Sequence, residues 1–357
     1  MTKAAVPPPI AAQQPPTVGE KLTTALKVVT GDPLANADYD VRRVLDTLAE
    51  LNPKPIETLS AIEARKQPTP ADAVTALLEK EGKPTEPMPG VIAKDITYPG
   101  AAGDLPARVY TPAGAMGPLP VVLFFHGGGF VIADLDTYDA TPRAFAKLLD
   151  AVVVSVHYRQ GPEHKFPAAH DDAKAAYRWV LAHAAALGGD PARIALMGES
   201  AGGNLAINVA LAARDEALRR PLYQVLVYPV AGTNMETASY VENTNAKPLN
   251  KAMMSWFVDQ YLGGTQGLAS PAIDLVGKAN LAGLPPTTLV TAQIDPLRSE
   301  GEALAQKLAA AGVDVVHWNY EGATHEFFGM AAVVKDAVDA QSFAATRLAA
   351  SLRSASP

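Results

Sequence analysis

From about residue 91 onward, short β-branched and apolar runs alternate with segments whose apolar residues recur at helical spacing. That alternation confines the chain to α/β architectures built on a largely parallel sheet. Eight strands are expected, at 92–98, 105–110, 121–125, 152–156, 194–197, 223–228, 288–292 and 313–318. Pro99-Gly100-Ala101-Ala102-Gly103 separates the first two and predicts an antiparallel hairpin. The later strands are joined by helical segments at 138–149, 168–187, 201–218 and 299–311, with a closing helix from about 332 to 352.

Two stretches depart from this rhythm. Residues 1–90 hold 13 of the 30 prolines, and Pro7, Pro8, Pro9, Pro15 and Pro16 interrupt any apolar core of a secretory signal, so a cytoplasmic location is expected. Val41, Val44, Leu45, Leu48 and Leu51 form one helical face there, and a second helix is expected at 70–78; both are too short to be stable alone. The connection 230–286 exceeds fifty residues, with one strong helix from Lys251 to Leu262 behind an Asn250 N-cap and ahead of Gly263-Gly264. Its Met253, Met254, Trp256, Phe257 and Tyr261 suit a cap over a pocket. The expected division is an N-terminal extension with cap helices (1–90), a first core part (91–229), a cap or lid insertion (230–285) and a second core part (286–357).

Composition narrows the chemistry. There is no cysteine, hence no disulfide, thiol nucleophile or thiolate metal site. A net charge of −7 argues against a nucleic acid partner, and no apolar run approaches the length of a membrane span. H-E-x-x-H is absent, so no metal is expected.

Gly198-Glu199-Ser200-Ala201-Gly202 lies between an expected strand and an expected helix, the setting of a strained turn that presents a nucleophilic serine. Glycines two before and two after the serine fit because side chains there would strike the adjoining strand and helix. His126-Gly127-Gly128-Gly129-Phe130 follows directly on the strand 121–125, at the strand end where sites of open α/β sheets lie. The N–H groups of Gly127 and Gly128, with that of Ala201, are the candidate donors to an oxyanion. No phosphate-loop or dinucleotide pattern competes for these glycines.

These two motifs, with Tyr158-Arg159-Gln160-Gly161-Pro162-Glu163-His164-Lys165-Phe166-Pro167-Ala168-Ala169 between them, resemble the bacterial hormone-sensitive-lipase family (family IV) of α/β-hydrolase esterases over about residues 90–330. Glu199 stands where many members carry Asp. The resemblance implies an α/β-hydrolase fold with an eight-stranded mostly parallel sheet, flanking helices and a helical cap. It also implies a serine carboxylesterase acting on short- to medium-chain esters of small molecules without a cofactor.

A serine hydroxyl needs a base, and the base needs an orienting carboxylate; in this fold they follow the serine in the order acid, then histidine. Only His317 and His325 lie downstream of Ser200. His317 falls inside a strand and reads as structural. His325 follows the turn-like Glu321-Gly322-Ala323-Thr324 and is the expected base. Asp295, beyond the strand 288–292 and opening Asp295-Pro296-Leu297-Arg298, is the expected acid; Asp274 and Asp314 are poorly placed, and Asp171 and Asp172 read as helix-start residues. Arg159 and Glu163 are expected to pair across a turn, Glu199 to hydrogen-bond near the nucleophile and Glu300 to support the Asp295 loop. Phe130 and Phe257 are candidate pocket walls. An amidase or deacetylase would use the same triad, and a non-catalytic binding protein of this fold is the reading from another class. The last strand, at a sheet edge, could pair in a homodimer.

Overall fold

The computed structural model describes residues 32–86, 88–263 and 265–354. The proline-rich opening through residue 31 and Gly264 lie outside the described residues. In chain order the helices and strands are α1 (Tyr39–Glu50), α2 (Ala61–Ala64), α3 (Pro70–Lys80), β1 (Val91–Gly100), β2 (Gly103–Pro112), β3 (Leu119–Phe125), α4 (Ala140–Leu149), β4 (Val152–Val156), α5 (Ala168–His183), β5 (Gly189–Glu199) and α6 (Ala201–Asp215). They continue with β6 (Gln224–Val227), α7 (Ala238–Glu242), α8 (Lys251–Tyr261), α9 (Thr265–Leu268), α10 (Leu275–Lys278), β7 (Thr287–Ile294), α11 (Arg298–Ala310), β8 (Val315–Thr324) and α12 (Lys335–Ser354).

The eight strands form one sheet in the order β1-β2-β4-β3-β5-β6-β7-β8. β1 pairs antiparallel with β2, as the turn residues between them predict, and β2 antiparallel with β4; the remaining pairs are parallel. Side chains alternate between the two faces of a strand, and β3 shows the consequence. Val121, Leu123 and Phe125 enter one core with α5, α6 and α11, while Val122 and Phe124 enter the other with α4 and α12. Both faces are covered, which explains why residues 121–125 of β3 read as an unbroken apolar run and β4 as valines interrupted only by Ser155.

The N-terminal helices serve both cores: Val41, Val44 and Leu45 of α1 join the α4/α12 side, whereas Ile56, Ala61 and Ala64 join the other with Met254, Trp256 and Phe257 of α8. The Trp256 indole N–H donates to the Leu59 carbonyl at 3.2 Å and links the N-terminal segment to the insertion. Asn250 caps α8 as expected, its side chain accepting from the Met253 N–H at 2.9 Å.

Two expectations need correction. The insertion carries the short helices α7, α9 and α10 besides α8; four or five residues cannot display helical periodicity, so the sequence pattern missed them. The turn expected at 321–324 is the end of β8. Ala292 pairs with Tyr320 but Ile294 with Thr324, so β8 bulges outward there, with Gly322 at φ +70° supplying the left-handed residue. Among the described residues, no helix is long and apolar enough to cross a membrane.

Candidate active site

Ser200 occupies the tight turn between β5 and α6 at φ +56°, ψ −119°, a conformation that non-glycine residues rarely adopt. Crowding explains the flanking glycines. A Cβ on Gly198 would lie 2.1 Å from the Gly202 carbonyl oxygen, and one on Gly202 would lie 2.0 Å from that of Phe125. The Ser200 N–H donates to the Val227 carbonyl at 2.9 Å, anchoring the turn to β6. The serine is held above the parallel strand ends with only 5% of its surface exposed.

His325 follows β8 and Asp295 follows β7, so adjacent strands deliver them to the same end of the sheet. His325 Nδ1 lies 2.7 Å from Asp295 Oδ2, and His325 Nε2 lies 3.0 Å from Ser200 Oγ. A carboxylate can only accept, so Nδ1 carries the hydrogen and Nε2 is left to accept from the serine hydroxyl. The other oxygen of Asp295 accepts from the Leu297 N–H at 2.8 Å, which fixes the carboxylate's orientation. Burial disfavours the imidazolium, but Asp295, aided by Glu326 and Glu199, outweighs it and raises the His325 pKa above its usual 6.5.

The glycine loop after β3 is set by Tyr158. Its hydroxyl lies 2.8 Å from the His126 carbonyl oxygen and 3.0 Å from that of Gly127. In a trans peptide the C=O and N–H point in opposite directions, so the N–H groups of Gly127 and Gly128 point away from Tyr158. The loop cannot carry a side chain at Gly128, where φ is +91° and a Cβ would lie 2.1 Å from the Ile132 carbonyl oxygen. His126 stacks on Tyr158 and lies 3.1 Å from His157; burial pushes its pKa down to about 3, so it is neutral packing.

Next to Ser200, His325 and Asp295 stand two acidic residues. Glu199 is buried, accepts from the Tyr228 hydroxyl, and has its pKa pushed up to about 7 by burial. Glu326, the residue after His325, is also raised by burial. The Tyr228 ring packs on the His325 ring at 4.4 Å between centroids. Neither Tyr228 nor Glu326 was singled out from sequence, although Glu326 adjoins the expected base.

The large cavity, about 690 Å³, is within the range of small-molecule sites. Gly128 and Glu326 border it, with Leu45, Ile56, Ile132 and Met253 on its apolar walls and Gln160 and His157 among its polar ones. The expected pocket walls Phe130 and Phe257 do not line it; they bound a second cavity of about 30 Å³. The reason is local: Phe130, at φ +62°, stacks on Tyr261 at 4.5 Å, and Phe257 covers Gly129 so closely that a Cβ there would lie 2.3 Å from its ring.

Other expected contacts are rearranged. Arg159 does not pair with Glu163. It pairs instead with Asp172 at 2.8 Å, while Glu163 pairs with Arg65 at 2.7 Å from the N-terminal segment. Asp172 is therefore an ion-pair partner and not simply a helix-start residue; it also accepts from the Ala101 N–H at 2.9 Å. Glu300 accepts from the N–H groups of Ala231 and Gly232, so it pins the base of the insertion and not the Asp295 loop. His317 bonds to Thr291 within the sheet at 2.8 Å, a structural role.

Comparison with known proteins gives the chain's relatives. A family described by the α/β-hydrolase fold matches residues 122–329. The chain is 40% identical to a carboxylesterase, NlhH, of Mycobacterium tuberculosis over 280 residues, covering 76% of this chain and 88% of that protein. It is 42% identical to the esterase LipI of the same species over 261 residues, covering 72% and 82%. An esterase structure from Pyrobaculum calidifontis superposes with a TM-score of 0.77 at 37% identity, covering 88% of this chain and 98% of that one. A thermostable esterase from Pseudomonas putida gives 0.80 at 34% identity, covering 89% and 98%. Extended similarity, strand order and the serine turn place the chain in the α/β-hydrolase fold family, within its hormone-sensitive-lipase group of esterases.

Proposed function

We propose that this protein is a serine carboxylesterase in which Ser200, His325 and Asp295 hydrolyse short- to medium-chain acyl esters through a covalent acyl-enzyme. The observation that carries the reading is the unbroken line of contacts from Ser200 Oγ to His325 Nε2 at 3.0 Å and from His325 Nδ1 to Asp295 Oδ2 at 2.7 Å. As Ser200 attacks the ester carbonyl, its proton passes to His325, and Asp295 stabilises the imidazolium. The N–H groups of Gly127, Gly128 and Ala201 receive the developing oxyanion, each worth about 3–4 kcal/mol of barrier. The imidazolium protonates the departing alcohol. Water, deprotonated by His325, then attacks the acyl carbonyl; the acid leaves and the Ser200 hydroxyl is restored.

Apart from the ester and the attacking water, every step uses groups of this chain, so the mechanism draws on no cofactor. The carboxylesterase relatives support ester substrates, and a cavity of small-molecule size with both apolar and polar walls favours small-molecule esters over insoluble fat. The test is initial rates on p-nitrophenyl esters from acetyl to dodecanoyl, with p-nitroanilides alongside and Ser200→Ala as the control. Turnover that peaks at a short or medium acyl chain and disappears in Ser200→Ala is expected. Turnover that survives the substitution defeats the Ser200 assignment, and preference for the anilides makes the enzyme an amidase.

A further inference from the structure

Beside the triad lies a cavity of about 40 Å³ bordered by Glu199, Glu326, Tyr138 and Thr141. Glu199 Oε1 and the hydroxyls of Tyr138 and Thr141 reach no protein partner in hydrogen-bond geometry. These residues are only 1%, 8% and 1% exposed. The Thr141 hydroxyl is nevertheless near enough to Glu199, and that of Tyr138 near enough to Glu326, to counter part of the burial effect on each carboxyl. Three buried polar atoms without a protein partner belong to residues that border this one small space, and an internal water needs about 10–15 Å³ and two to four polar partners.

The same space joins two carboxyl groups that the mechanism leaves unused. Glu326 directly follows His325 and is held at φ +66°, a left-handed conformation costly for a residue with a Cβ. Glu199 Oε2 accepts from the Tyr228 hydroxyl, whose ring rests on His325. Glu199 is buried, whereas Glu326 is half-buried and borders the large cavity as well. Two neighbouring carboxyls do not both ionise readily, because the second charge meets the first.

We propose that this cavity is a water site at which Glu199 and Glu326 hold one proton between them, and that the pair acts on His325 as a single fixed negative charge. The inference rests on the triad reading above. The groups that face His325 are Ser200, Asp295 from the turn after β7, Glu326 from its own segment, Glu199 from the end of β5 and the uncharged ring of Tyr228. Facing the acidic pair are His325, Tyr138, Tyr228 and Thr141, with Asp295 close to Glu326. Asp295 orients the base from one side, and the pair positions and polarises it from another.

A shared proton has a signature that two independent charges lack. Replacing either carboxyl with an amide leaves the other free to ionise, so the net charge beside His325 stays the same. Replacing both removes it. The experiment compares Glu199→Gln, Glu326→Gln and the double variant by the acid limb of kcat/KM and, in a Ser200→Ala background, by NMR titration of the His325 ring. Each single variant is expected within about 0.3 pH unit of the parent, and the double variant about one unit lower. A double variant that titrates like the parent overturns the proposal, as does a single variant that moves by half the double's shift or more. The NMR arm does not depend on turnover, so an enzyme inactive on every ester would defeat the triad reading while the pair was still decided. A crystal structure of the wild type adds a readout that needs no variant: a water bonded to Glu199 Oε1 and the Tyr138 hydroxyl is expected, and a dry cavity overturns the site.

Discussion

Asp295 Oδ2 and His325 Nδ1 are 2.7 Å apart with both side chains buried, joining the ends of two adjacent parallel strands. The carboxylate's acceptor-only chemistry selects the tautomer that leaves Nε2 open to Ser200. Asp295→Asn keeps the shape but offers an N–H or a neutral oxygen, so the ring can take the wrong tautomer. We expect kcat to fall by about 10⁴ with circular dichroism unchanged. A loss below tenfold would show that the orientation is secured elsewhere.

The pH dependence follows from the same contact. In the proposed mechanism His325 is the base, a role only the neutral ring can fill, and its pKa is raised above 6.5. Activity is therefore expected to fall as pH drops, with the midpoint of the acid limb of kcat/KM above pH 6.5. A profile flat down to about pH 4 would exclude an imidazole base.

Much of this arrangement was legible in the sequence because it depends on local chemistry. The Gly198-Glu199-Ser200-Ala201-Gly202 turn and the glycine loop at 127–129 advertise backbone constraints that few other residues satisfy. Chain order then singled out Asp295 and His325. What stayed hidden depends on pairings distant in sequence. Arg159 had no sequence signal choosing Asp172 over Glu163, and nothing announced that Arg65 would take Glu163 instead. The pocket walls were hidden for a similar reason: a positive φ at Phe130 turns its ring toward Tyr261, and backbone dihedrals are not written in residue type.

The Arg159–Asp172 pair supports the loop that carries Tyr158. Asp172 is fully buried and receives both Arg159 and the Ala101 N–H. Arg159→Ala strands that carboxylate without its cation, and we expect a loss of about 3–5 kcal/mol in denaturant unfolding. Removing Asp172 as well, in Arg159→Ala/Asp172→Ala, should recover part of that loss, since no unpaired charge remains. A double variant no more stable than Arg159→Ala would mean that packing, not charge, dominates.

Tyr158 aims the glycine loop without touching the reacting atoms. Tyr158→Phe keeps the ring stacked on His126 but releases the carbonyls of His126 and Gly127. The N–H groups then lose their fixed direction. We expect kcat to fall by about tenfold to a hundredfold, less than the ~10²–10³ for deleting an oxyanion donor outright, with KM little changed. A rise in KM at constant kcat would assign Tyr158 to substrate binding.

Glu300 ties stability to pH through the base of the insertion. Its buried carboxyl accepts from the N–H groups of Ala231 and Gly232, yet burial dominates and pushes its pKa up to about 8 from 4.5. The folded protein thus keeps a proton that the unfolded chain gives up. The stabilisation is complete below pH 4.5 and is lost as pH rises toward 8. Glu199, raised to about 7, contributes in the same direction over a narrower window. Glu300→Gln retains an oxygen for Ala231 and removes the titration, so its Tm should decline less steeply than the wild type's between pH 5 and pH 8, by about 1–2 °C for each kcal/mol recovered. Parallel Tm curves for the two proteins across that window would mean that Glu300 titrates alike in the folded and unfolded chains.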